Sequence, residues 1–146
     1  GAGFDRMTPQ LQEATRGRIT HLGRRPFSEM GTCLGAADVL LLPLGDVALN
    51  RARYPHKLSD YVAAGRPVIA CDVGETGRLL RRYGFGKLCR PQPQDLAAAM
   101  MALVGERPRW DTLGAETRAA AEAFFDWDVL AGRLFAFWEE RLGLKV

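Results

Sequence analysis

The sequence predicts an α/β fold: an open parallel sheet with helices on both faces and extra helices at the C-terminal end. Three observations carry this. Strand-like and helix-like segments alternate through the first ninety residues, the strand-like segments are short continuous apolar runs, and the last fifty residues read as helix alone. Alternation of this kind implies right-handed crossovers between parallel strands. Continuous apolar runs, rather than alternating ones, suit strands buried on both faces.

Taken in order, Asp5 to Arg16 has modest helical character, and Arg18 to Leu22 reads as a short strand closed by Gly23. Phe27 to Ala37 reads as a helix with Ser28 as its N-cap. Val39 to Leu42 is an apolar strand ended by Pro43, and Leu44 to Arg53 reads as a loop. Pro55 opens the next helix, since its missing N–H costs nothing in a first turn. That helix runs to about Ala64 and stops at Gly65. Val68 to Cys71 is a strand, Gly74 to Tyr83 a helix and Gly84 to Leu88 a last strand. Three helices follow: Pro93 to Val104, Trp110 to Phe124 and Asp128 to Leu142. The arrangement is Rossmann-like, and the 146 residues are expected to form one domain.

Bulk properties narrow the function. An apolar fraction of 47% and a charged fraction of 25% fit a globular protein and exclude disorder. No apolar run approaches the roughly 20 residues that span a bilayer, and Gly1 to Gln10 lacks the pattern of a signal peptide. A cytoplasmic location is therefore expected. The net charge of +3 is a weak bias, and the scattered arginines lack the dense basic stripe and stacking aromatics of a nucleic-acid binder. Cys33, Cys71 and Cys89 are odd in number and widely spaced, which is no disulfide framework. With only His21 and His56 beside them, a structural zinc site is not expected.

In open α/β sheets ligands sit beyond the carboxyl ends of the strands, so the loops after Leu22, Leu42 and Cys71 matter most. The richest is Asn50 to Tyr61. A helix N-terminus there offers unpaired N–H groups to an anion, Lys57 adds a full charge, and Asp60 is suited to vicinal ribose hydroxyls. A solvated helix face would look the same. Gly23 and Arg24 give a weaker signal, and so do Gly74 and Glu75. Gly1-Ala2-Gly3 lacks the third glycine and the later lysine of a phosphate loop. No nucleophile–base pair stands out, and His21 and His56 read as structural or surface residues.

The stretch RYPHKLSDYVAAGRPVIACDVGE, Arg53 to Glu75, resembles the donor-binding signature of GT-B fold glycosyltransferases, most closely the retaining enzymes of family 4, the group 1 glycosyl transferases. The upstream RITHLGRRPFSEMGTCLGAADVLLLP, the later Gly74-Glu75 and Gly84-Phe85-Gly86, and the closing FFDWDVLAGRLFAFWEERL follow the same order of elements. The resemblance implies transfer of a sugar from a nucleotide-diphosphate sugar to an acceptor, without an essential metal or other cofactor. It implies donor binding by Gly23, Arg24, Arg53, Lys57, Leu58 and Asp60: ribose at Asp60, diphosphate or sugar at Lys57, and the base at Gly23 and Arg24. It also implies that the chain is the C-terminal, donor-binding half of a two-domain enzyme. The acceptor-binding N-terminal domain and the basic pair that grips the diphosphate would then lie outside this chain, which is expected to be inactive alone.

Two departures stand out. The family carries two glutamates separated by seven residues; here the second position is Asp60 and the first is Ala52. The usual acidic contact to the transferred sugar is thus absent or supplied elsewhere. Three other functions share parts of the pattern: a non-catalytic nucleotide-binding module, half of a sugar-nucleotide epimerase, and an interaction module using the aromatic-rich C-terminal helices.

Overall fold

The structure is a computed structural model and describes residues 9–11, 13–16 and 18–143. Gly1 to Gly3 and the start of the first expected helix lie outside the described residues. The chain divides into two compact units, Gly1–Cys33 and Leu34–Val146.

In the first unit, residues 9–11 and 13–15 are helical. The strand expected over Arg18 to Leu22 does not form; these residues have no regular structure and are exposed. A strand exists only by pairing its backbone groups with a neighbouring strand, and this segment is in no sheet among the described residues. The helix expected over Phe27 to Ala37 begins as a 3-10 turn, Phe27–Glu29, and continues as α1, Met30–Gly35. Pro26 rather than Ser28 holds the capping position, with no side-chain cap bond.

The second unit holds a parallel sheet in the order β1-β2-β3, formed by Leu40–Leu42, Val68–Cys71 and Gly86–Cys89. Leu40 lies beside Val68, and Val68 beside Gly86. All four residues of β2 are buried. Successive strand side chains point to opposite faces, so β2 is covered on both, as its apolar run requires.

Helices join and flank the strands. They are α2, Ala48–Ala52; α3, His56–Ala63; α4, Gly74–Tyr83; α5, Pro93–Gly105; α6, Trp110–Phe125; and α7, Trp127–Leu142. Helix α2 falls where a loop was expected. It is held by a side-chain brace: the Arg51 guanidinium donates to both oxygens of Asp46 at 2.6 and 2.9 Å, and Asn50 Nδ2 donates to the Gly45 carbonyl at 2.8 Å.

Helix α3 is fixed from two sides. Leu58 and Val62, four residues apart, are wholly buried in the core beneath it. Its end packs against α6, where Arg118 donates to the Ala63 carbonyl. A side chain on Gly114 would clash with the Gly65 carbonyl oxygen, so only glycine permits that approach. Gly65 itself has a φ of 63°, as a helix-terminating glycine should. At the other end of the site, Gly74 (φ 51°) sets α4 against α2; a Cβ there would lie 2.6 Å from the Arg51 carbonyl oxygen.

Candidate nucleotide-binding site

The strands end at Leu42, Cys71 and Cys89. Beyond Leu42 lies a cavity of about 540 Å³, lined by Leu41 to Leu44 from β1 and its loop, Arg53 to Lys57 from the start of α3, and Tyr61 one turn further on. The sequence builds it directly. Pro43 ends β1, and Pro55 caps α3 in extended conformation (φ −81°, ψ 105°), turning the chain so that the first turn of the helix faces the cavity.

The charged side chains of the lining are Arg53 and Lys57, beside the His56 ring, and no carboxylate lines it. In the same unit Arg51, Arg78, Arg81, Lys87, Arg90 and Arg118 each hold an acidic partner. Arg53 and Lys57 hold none among the described residues, and both are exposed. Two uncompensated cations at the start of a helix make the cavity suited to an anion.

The opposite flank of α3 has a different character. Asp60 does not line the cationic cavity. With Ser59, Phe125 and Trp127 it lines two adjoining clefts of about 250 and 500 Å³, bounded by the α6–α7 corner. Tyr54 and His56 belong to both the larger cleft and the cationic cavity, so they form the wall between them. The Tyr54 hydroxyl bonds the Ser59 hydroxyl at 2.5 Å, and the His56 ring meets the Tyr54 ring edge-on at 5.9 Å. Burial pushes the Tyr54 hydroxyl above its ordinary pKa against the opposing pull of Ser59, and burial does the same to Tyr61. Both phenols therefore keep their protons near neutral pH and can donate to a ligand.

The residues singled out in the sequence are thus distributed. Arg53 and Lys57 share the cationic cavity, and Asp60 stands on the adjacent flank of the same helix. The Leu58 side chain is fully buried and its N–H is bonded to the Pro55 carbonyl at 2.8 Å, so it supports α3 from beneath. Gly23 (φ 71°) and Arg24 lie exposed in the first unit. Ala52 is exposed at the end of α2. Sequence reasoning missed Tyr54, Ser59, Tyr61 and Trp127. The two tyrosines and Ser59 carried a readable signal: they lie in the singled-out segment, and Tyr61 is one helical turn from Lys57. Trp127 stood 67 residues from Asp60 in sequence and read only as one of the aromatics of the C-terminal helices.

Among the described residues, no group of three or more His, Cys, Asp or Glu could hold a metal, and no helix is long and apolar enough to cross a membrane.

Over 100 residues, 68% of the chain, the sequence is 25% identical to TuaH of Bacillus subtilis (strain 168), a protein named for glycosyl transfer in teichuronic acid biosynthesis. The chain spans about a quarter (25%) of that relative's length. The fold is similar to sucrose-phosphate synthase from Thermosynechococcus elongatus, with a TM-score of 0.80 and 25% identity over 98% of this chain and 35% of that one. The pattern of the family described as Glycosyl transferases group 1 matches residues 1–106, and the chain belongs to that family.

Proposed function

We propose that this chain supplies the donor-binding half of a glycosyltransferase that moves a sugar from a nucleotide-diphosphate sugar to an acceptor. One observation carries the reading: an acid-free cavity at the carboxyl end of β1 gathers Arg53, His56 and Lys57 at the start of α3, with Asp60 one turn along the same helix. The family membership and the names of both relatives support it.

Lys57, Arg53 and the first-turn N–H groups of α3 meet the diphosphate. In glycosyl transfer that diphosphate leaves, and charge grows on it as the glycosidic bond breaks. Fixed positive groups placed in advance stabilise that charge more than the ground state, which is how such a site accelerates the step. Asp60 accepts the two ribose hydroxyls, setting the nucleotide's register. Gly23 and Arg24, in the first unit, are assigned to the donor by the family resemblance alone. The acceptor, and a second domain to bind it and exclude water on closure, belong to the same proposal.

Titration calorimetry with UDP, GDP and ADP tests it. One nucleotide is expected to bind saturably. Asp60→Asn and Lys57→Met should each weaken it about ten-fold, the loss expected for a charge-assisted bond of about 1.5 kcal/mol. No binding by any nucleotide, or equal affinity in both variants, would overturn the reading.

A further inference from the structure

The larger cleft beside Asp60 has two unlike walls. One is polar: Asp60, Ser59 and the Tyr54 ring with its hydroxyl. The other is apolar: Phe125, Trp127 and Leu130. Phe125 packs partly into the core, but the Trp127 indole is 83% exposed. The backbone that carries it is nonetheless braced. The Asp126 carboxylate caps α7 by accepting the Asp128 N–H at 2.8 Å, and Arg133 donates to the carbonyls of Ala123 and Phe124 at 3.1 and 3.5 Å, clasping the corner. Arg133 also lies over the Phe124 ring, 5.4 Å from its centre. A braced corner thus holds a large aromatic surface in water, on the rim of a cleft whose far side carries a carboxylate.

We infer that Trp127 is a binding residue for the nucleoside of the donor: the base stacks on its indole while the ribose hydroxyls bond Asp60. This rests on the donor-site reading above. The chemistry of the two walls matches a nucleoside, which has a flat π-face at one end and vicinal hydroxyls at the other. The smaller cleft shares Ser59, Asp60, Phe125 and Trp127 with the larger one. The diphosphate end reaches over the wall formed by Tyr54 and His56 to the adjacent cationic cavity. Stacking accepts any base, so this contact supplies affinity and orientation rather than base choice.

Intrinsic fluorescence reads the contact. The chain has three tryptophans, and the Trp110 indole N–H is already bonded to the Leu103 carbonyl at 2.8 Å. The nucleoside diphosphate that binds by calorimetry should quench the emission, while pyrophosphate, which has no base, should not. Trp127→Phe should abolish the quench and hold affinity within about three-fold. Trp127→Ala should weaken the nucleotide about ten-fold, within the range for base–aromatic stacking, and leave pyrophosphate binding and the melting temperature unchanged. If the nucleotide binds through Asp60 but Trp127→Ala changes neither affinity nor quench, this inference fails and the donor-site reading stands. If Trp127→Ala lowers the melting temperature without moving affinity, the indole is structural and the inference again fails. If no nucleotide binds at all, both fall.

Discussion

At the scale of single residues, one buried thiol responds to pH. Cys71 and Cys89 are opposite each other at the ends of β2 and β3, and both are buried free thiols. Burial, with Cys71 beside it, pushes the Cys89 thiol up to about 11. An unfolded cysteine titrates near 8.5, so between these values the folded chain holds a proton that the unfolded chain has lost. Stability from this group is therefore complete below about pH 8.5 and is lost as pH rises through 11. The loss should be on the order of 2 kcal/mol, and denaturant unfolding at pH 8 and pH 10.5 measures it. Cys89→Ala should flatten that alkaline slope. An unchanged slope would mean the thiol is not what titrates.

The same scale shows how much of the site was legible. Lys57 and Asp60, three residues apart, read as neighbours on one helix face, and α3 does carry both. Three residues turn a helix through about 300°, which leaves the two side chains offset. That offset sends Lys57 to the β1 cavity and Asp60 to the α6 side. Spacing along a helix fixes that angle but not which neighbours stand on either side of it. Arg53 and Arg51 are alike in sequence, and only the fold shows that Asp46 occupies one and leaves the other open.

At the scale of elements, legibility followed punctuation. Strand β2 and helix α4 match their expected spans because Pro67, Gly74 and Gly84 bound them sharply. Helix α2 was hidden because its brace, Asp46 to Arg51, is a side-chain contact that no apolar period announces. Arg18 to Leu22 has strand composition but belongs to no sheet among the described residues, and composition alone does not make a ladder. The contact between α3 and α6 yields a prediction at this scale. Gly114→Ala places a methyl group against the Gly65 carbonyl, a rigid backbone atom. The two helices must separate, at a cost of about 1–3 kcal/mol typical of overpacking. Because α6 also forms the rim beside Asp60, nucleotide affinity should fall together with the melting temperature. A variant that loses stability but keeps full affinity would show that α6 does not position Asp60.

At the scale of the whole molecule, the expected open parallel sheet formed, with an aromatic cluster of Tyr83, Phe85, Phe124 and Phe125 tying the C-terminal helices to it. What composition could not show was how the charge is spent. Six cations of the second unit, Arg51, Arg78, Arg81, Lys87, Arg90 and Arg118, sit in local ion pairs, which contribute little to stability when exposed. Arg53 and Lys57, with no acidic partner among the described residues, meet at the cavity beyond β1. Binding there should therefore stabilise the fold by mass action: a nucleoside diphosphate at a hundred times its Kd adds about 2.7 kcal/mol. For a chain of this size that corresponds to a rise in melting temperature of roughly 5–10 °C. Since Arg53 and Lys57 are exposed, their attraction for phosphate is screened by salt, and the Debye length shrinks from about 10 Å at 0.1 M to 3 Å at 1 M. The rise at fixed ligand concentration should shrink accordingly between those salt concentrations, and should be small at both in Lys57→Met. Differential scanning calorimetry across that salt series separates the electrostatic contribution from the rest: a rise insensitive to both salt and Lys57 would place the diphosphate away from the cationic cavity.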